Sequence, residues 1–147
     1  MAELWFYRLE ARPAHEVLPQ LLEKSLERGW RVVIEVGKPE ALDGLSKHLW
    51  QASPTSFLAH AFDGEGKDQP IWLTANADNP NAAQVRFFID GAVPNDISGL
   101  ERAIYIFEDG DLPAVDAARE CWKKAREQGT TARYFIHKDG RWNEQKS

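Results

Sequence analysis

The sequence predicts an α/β fold of three layers, with helices on both faces of a mainly parallel central sheet. Short runs of β-branched and aromatic residues alternate with segments of helical apolar spacing at both ends of the chain. Arg31-Val32-Val33-Ile34-Glu35-Val36 is a short, β-branched apolar run, as a central strand covered on both faces requires. With 147 residues, 43% of them hydrophobic, the chain is long enough for a single domain over residues 1–147 with a substantial core.

The elements follow in order. Leu4-Trp5-Phe6-Tyr7-Arg8-Leu9 is rich in strand formers. Arg12-Pro13-Ala14 breaks it, and Val17, Leu18, Leu21, Leu22 and Leu26 then mark a helix from about His15 to Arg28, stopped by Gly29. A proline is tolerated in the first turn of a helix, so Pro19 is expected there, or the helix begins later. After the Arg31–Val36 strand, Gly37-Lys38-Pro39 turns the chain into a helix carrying Leu42, Leu45 and Leu49 and ending near Trp50. Residues 51–70 read as mostly irregular. Strands are expected at Ile71–Thr74, Gln84–Asp90 and Arg102–Phe107, and a last helix from Leu112 to Gln128, closed by Gly129. Ala132–His137 is the final expected strand, with Lys138-Asp139-Gly140 as a turn.

Charge is unevenly placed. Residues 113–147 hold eight Lys/Arg against five Asp/Glu, a surplus of three positive charges, which leaves −8 for the rest of a chain whose net charge is −5. An acidic body argues against clasping nucleic acid with the whole surface, and a basic C-terminal end suggests a local site for an anionic partner. The single cysteine excludes an intrachain disulfide framework, and no apolar run is long enough to span a membrane. The N-terminus lacks the pattern of a secretory signal, so a cytoplasmic location is expected.

The sequence carries no recognisable catalytic signature. The first two strands are followed by Glu10-Ala11-Arg12-Pro13 and by a single Gly37, not by the glycines with which a Rossmann-like sheet admits a pyrophosphate. Gly64-Glu65-Gly66-Lys67 lacks the first glycine and the final Ser/Thr of a phosphate loop and reads as a surface turn. His15, His48, His60 and His137 have no ligand spacing with each other or with Cys121. Cys121 falls on the apolar side of the last helix with Ala114, Ala118 and Ala125, as a buried small hydrophobe. The expectation is a chain without a catalytic residue, cofactor or metal.

Two features suggest binding. Arg119, Lys123 and Arg126 stand at i, i+4 and i+7 of the last helix, with Trp122 beside them. Cationic forks beside a large ring suit a short acidic peptide with a hydrophobic end, or a carboxylate terminus. Helix macrodipoles also favour basic residues there, and a charged stripe is what any solvated face presents. The second feature is Trp50 with Pro54, Phe57 and Phe62: Trp50 lies about 100° around the helix from the core residue Leu49. These aromatics either form an exposed patch for a protein partner or cap the core.

At these residues the chain resembles the chi subunit of bacterial DNA polymerase III. Leu45-Ser46-Lys47-His48-Leu49-Trp50 is similar to the family's Leu-Asp-x-x-Leu-Trp, and Ser56-Phe57-Leu58-Ala59-His60 to its Ser-Phe-x-Pro-His. Asp63-Gly64-Glu65-Gly66, Pro70-Ile71-Trp72-Leu73 and Arg102-Ala103-Ile104-Tyr105-Ile106 follow in order. Ala118-Arg119-Glu120-Cys121-Trp122-Lys123-Lys124-Ala125-Arg126 resembles Ala-Arg-x-x-Tyr/Trp-Lys/Arg-x-x-Arg. Ser46 replaces an acidic residue, Ala59 a proline, and Val115 stands where some members carry lysine; residues 76–98 match poorly. The resemblance implies a non-catalytic accessory subunit that joins the clamp loader through the psi subunit. It also implies binding to the acidic C-terminal tail of single-stranded-DNA-binding protein, which ends in Pro-Phe, so that DNA is met only indirectly. By that resemblance Arg119, Trp122, Lys123 and Arg126 match the tail site, and Trp50 and Phe57 the psi-contacting patch. Two rival readings are a small nucleotide-binding enzyme on a Rossmann-like fold and a direct single-stranded-DNA binder.

Overall fold

The computed structural model describes residues 2–10, 12–52, 60–62, 64–94, 96–138 and 141–145. Among them the chain forms β1 (Glu3–Leu9), α1 (Ala14–Glu27), β2 (Val32–Val36), α2 (Ala41–Ala52), β3 (His60–Ala61), β4 (Ile71–Thr74), β5 (Val85–Ile89), β6 (Arg102–Glu108), α3 (Leu112–Glu127), β7 (Ala132–Lys138) and β8 (Arg141–Gln145). The strands join in one sheet of order β3-β4-β2-β5-β6-β1-β7-β8. Every pairing is parallel except the β7–β8 hairpin. This is a Rossmann-like, three-layer α/β fold with a mainly parallel sheet, as the sequence predicts.

Alternate residues of each strand face opposite layers. Tyr7, Leu9, Ile34, Phe87, Ile104 and Ile106 meet α1 and α2 through Leu18, Leu22, Leu45 and Leu49. Leu4, Phe6, Phe88, Tyr105 and Phe107 meet α3 through Ala114, Val115, Ala118 and Ala125. The small side chains of α3 let it lie close to a sheet face that carries large rings. α1 contacts β2 and β6 and α2 contacts β4, whereas α3 contacts β6 and β7, so the two helical layers are displaced toward opposite edges.

On the α3 face, loops between β4 and β5 and between β5 and β6 cover the half of the sheet that α3 leaves open. Arg86, almost fully buried, donates from Nε and Nη2 to one oxygen of Glu35 at 3.0 and 2.6 Å, and also to the Asn76 and Asp78 carbonyls. Asn81 donates to the Val32 and Gln69 carbonyls. These bonds pin residues 76–81, in the segment that shows little resemblance to the family's sequence.

Several local expectations are corrected. Pro19 is the sixth residue of α1, not in its first turn. It has no N–H to give the His15 carbonyl, a loss that ordinarily disfavours a helix by about 3 kcal/mol. Buried Val17, Leu18, Leu21 and Leu22 around it hold the helix through tertiary packing. The chain also makes a further strand, β8, beyond β7, and the two-residue β3 lies inside the stretch read as irregular; the expected turn at Asp139-Gly140 lies outside the described residues. Gly66 is buried rather than at the surface: a Cβ there would fall 2.5 Å from Pro80 Cγ and 2.8 Å from the Trp72 ring. Gly129, with φ +72°, closes α3 as expected, and Thr130 N–H donates to the Ala125 carbonyl across it.

Candidate functional site

α3 begins with an Asp111 side chain that accepts from the Ala114 N–H, and Pro113 lies in its first turn. Its buried stripe, Ala114, Val115, Ala118 and Ala125, turns Arg119, Lys123 and Arg126 outward to solvent. Trp122 lies on the flank between these faces and is half-buried. Its ring stands edge-on to Phe6, with centroids 5.6 Å apart, and to Tyr134 on β7 at 5.9 Å. Phe6 and Tyr134 are themselves stacked at 5.9 Å.

Beyond α3 the sheet continues into the β7–β8 hairpin with no helix above it among the described residues. The step leaves a groove of about 340 Å³. Val115, Ala118, Trp122 and Tyr134 give it an apolar surface, and Arg8, Arg119, Lys123 and Gln145 give it a polar rim. Among the described residues no carboxylate lies within ion-pairing distance of Arg8, Arg119, Lys123 or Arg126. Positive charge around a ring-lined concavity is therefore not neutralised from within the described chain, an arrangement suited to an anionic, partly apolar ligand.

Three of the four residues expected on the last helix, Arg119, Trp122 and Lys123, border this groove; Arg126, two turns along α3 from Arg119, does not. Sequence reasoning missed Arg8, Tyr134 and Gln145. Arg8 left a signal: it is the polar residue that interrupts Leu4 and Phe6 on the even-numbered face of β1. Cys121 is half-buried, not fully so, and burial pushes its thiol up from the ordinary value against the opposing charge of Lys124.

The other surface lies on α2. Leu45 and Leu49 are buried, while Trp50 is 52% exposed. The indole lies over His60, with ring centroids 4.3 Å apart. His60 Nε2 is 2.9 Å from Ser46 Oγ, so the serine at the usual acidic position makes a buried polar contact with the histidine. Phe62 is half-buried and packs against the core. Pro54 and Phe57 lie outside the described residues. α2 packs near β4 and the groove lies at β1, β7 and β8, on the opposite face; five strand spacings between β4 and β7 correspond to about 24 Å.

Elsewhere, the rings of His15 and His48 stack at 3.8 Å across α1 and α2. Among the described residues no group of three His, Cys, Asp or Glu is arranged to hold a metal ion, and no helix is long and apolar enough to cross a membrane.

Comparison with known proteins agrees with this picture. The family model for "DNA polymerase III chi subunit, HolC" matches residues 1–133, which include Arg119, Trp122 and Lys123. A "Probable DNA polymerase III subunit chi" of Rickettsia prowazekii (strain Madrid E) is 33% identical over 83 residues, covering 55% of this chain. The chain spans about half the length of that relative, 48%.

Proposed function

The chain belongs to the DNA polymerase III chi subunit family, and from that premise we propose that it is a non-catalytic coupler within the replication machinery. One surface joins the psi subunit, and through it the clamp loader. The other holds the acidic C-terminal tail of single-stranded-DNA-binding protein. The observation that carries the reading is the groove beside α3, where Arg8, Arg119 and Lys123 rim an apolar surface without an ion-pairing carboxylate among the described residues.

The magnitudes fit a reversible tether. Burying a phenylalanine ring beside Trp122 and Tyr134 contributes about 1.5–3 kcal/mol. Exposed ion pairs with Arg119 and Lys123 add about 0.2–1 kcal/mol each. These contributions total at most about 5 kcal/mol, short of the ~8 kcal/mol of a micromolar complex, so weak and readily reversed binding is expected. Such binding can be broken and remade with each new segment of single-stranded DNA.

Trp50 is the anchor proposed for psi, with Phe57, seven residues on in sequence. A large, half-exposed indole next to the buried Leu49 is the kind of residue that fills a partner's pocket. The proposed role is cytoplasmic and reaches DNA only through partners.

A pull-down with a peptide carrying the acidic Pro-Phe tail, against the same peptide lacking its last residue, tests the tail dock. Retention of the first peptide and loss of the second is expected. Equal retention of both, or of neither, refutes it.

A further inference from the structure

Arg8 interrupts the apolar side chains that β1 turns toward α3. On β1 the residues facing α3 are Leu4, Phe6 and then Arg8; the first two are buried in the core. Arg8 is level with Phe107 on β6 and Ile136 on β7. Its Nε is sealed from solvent and has no hydrogen-bond partner. Among the described residues no carboxylate pairs with its guanidinium. An unmatched buried donor on a half-buried cation weakens the fold. A leucine would continue the apolar stripe without that penalty. The side chain nevertheless lines the groove, from the sheet side, facing the space also bordered by Arg119 and Lys123.

We infer that Arg8 is the inner anchor of the groove and binds the terminal carboxylate of the chain end that docks there. This rests on the groove being a dock for an acidic chain end, and adds which residue reads the end itself. Arg119 and Lys123 stand on the exposed side of α3, where salt screens their attraction for the ligand's side-chain carboxylates. Arg8 sits between the helix and the hairpin, where a charge-assisted bond is sheltered and a planar guanidinium can engage a carboxylate. The ring of the last residue then lies against Trp122 and Tyr134, next to its own carboxylate. The division of labour is outer cations that attract and an inner one that measures where the chain stops.

The test titrates wild type, Arg8→Leu and Arg119→Ala with a labelled acidic hexapeptide ending in Phe, as the free acid and as the C-terminal amide, at low and high salt. Thermal unfolding of each protein is measured alongside. Wild type should prefer the acid over the amide. Arg8→Leu should lose roughly 10- to 100-fold in affinity for the acid, by loss of a bond to a charged group. Its affinity for the amide should change little, so the preference closes, and the loss should persist at high salt. Arg119→Ala should weaken both peptides and keep the preference. Arg8→Leu should unfold at the same temperature as wild type or higher. An Arg8→Leu protein that still prefers the acid, weakens both peptides equally, or unfolds at lower temperature overturns the assignment. If that variant does not fold, Arg8→Gln decides by the same acid–amide comparison: a closed preference supports the assignment and a retained one overturns it. Failure of wild type to bind either peptide removes the dock itself, a different outcome from a dock indifferent to Arg8.

Discussion

The indole of Trp122 meets Tyr134 almost at a right angle, 89° between planes with centroids 5.9 Å apart. This contact ties α3 to β7 and sets one wall of the groove, so the ring packs the fold and, on the proposed function, also binds the tail. Trp122→Ala should therefore destabilise the domain by about 2–3 kcal/mol, from lost burial and edge-on ring contact, and also weaken the tail peptide. Trp122→Phe should recover most of the stability. Urea unfolding and a peptide titration on each variant separate the two effects.

Arg119 is exposed, so its removal should act chiefly on binding. Arg119→Ala is expected to lose most of the tail affinity while the unfolding midpoint moves by no more than about 0.5 kcal/mol equivalent. Affinity of the wild type should fall as salt rises. Calorimetry at two ionic strengths checks both statements, and wild-type affinity in the variant would discard the residue's role.

Trp50→Ala should abolish co-purification with psi yet leave a folded domain, because half of the side chain is already in solvent. Phe57→Ala is expected to act in the same direction. A normal heterodimer from either variant would move the psi contact elsewhere.

The Arg86–Glu35 pair makes an opposite prediction. Side-chain exposures of 7% and 20% place it largely out of water, and the same guanidinium holds the Asn76 and Asp78 carbonyls. Removing one partner strands the other charge, so Arg86→Ala should cost about 3–5 kcal/mol in denaturant unfolding. Tail affinity, measured on the fraction that remains folded, should not change, because the groove lies several strands away.

Burial holds the phenols of Tyr7 and Tyr105 up at about 12, from an ordinary value of 10.0. Arg102 and Arg133 partly oppose the shift at Tyr7, whereas Cys121 and Asp111 add to it at Tyr105. A phenol protonated more tightly in the folded state contributes stability that is complete below pH 10 and is lost as pH rises toward 12. Stability in urea should accordingly fall across that window, and the double variant Tyr7→Phe, Tyr105→Phe should flatten the decline. An unchanged slope would show that other groups govern it.

The parts of the fold legible in the sequence were those in which a local pattern and the tertiary environment agree. Val32–Ile34 is apolar because both sheet faces are covered, and Leu45 and Leu49 repeat at helical spacing because α2 lies on the sheet. β8 was illegible because Arg141-Trp142-Asn143-Glu144-Gln145 is polar. It becomes a strand only by pairing with β7, helped by the Arg133–Glu144 fork at 2.7 and 2.8 Å. Pro19 misled because its penalty is local and the packing that outweighs it is not. The stripe on α3 could be read from spacing, but the groove could not. Its remaining walls come from β1, β7 and β8, and only the sheet order brings Arg8, Tyr134 and Gln145 to the same helix flank.

The displacement of α2 and α3 toward opposite edges of one sheet has a consequence for cooperativity. Among the described residues no side chain lines the groove and also contacts Trp50, and the intervening strands of the sheet separate the two surfaces. Saturating one surface should leave the dissociation constant at the other as it was. On the proposed function, a subunit of this shape would join its two partners by raising the local concentration of each around the other, and either could let go without loosening the grip on the one that stays.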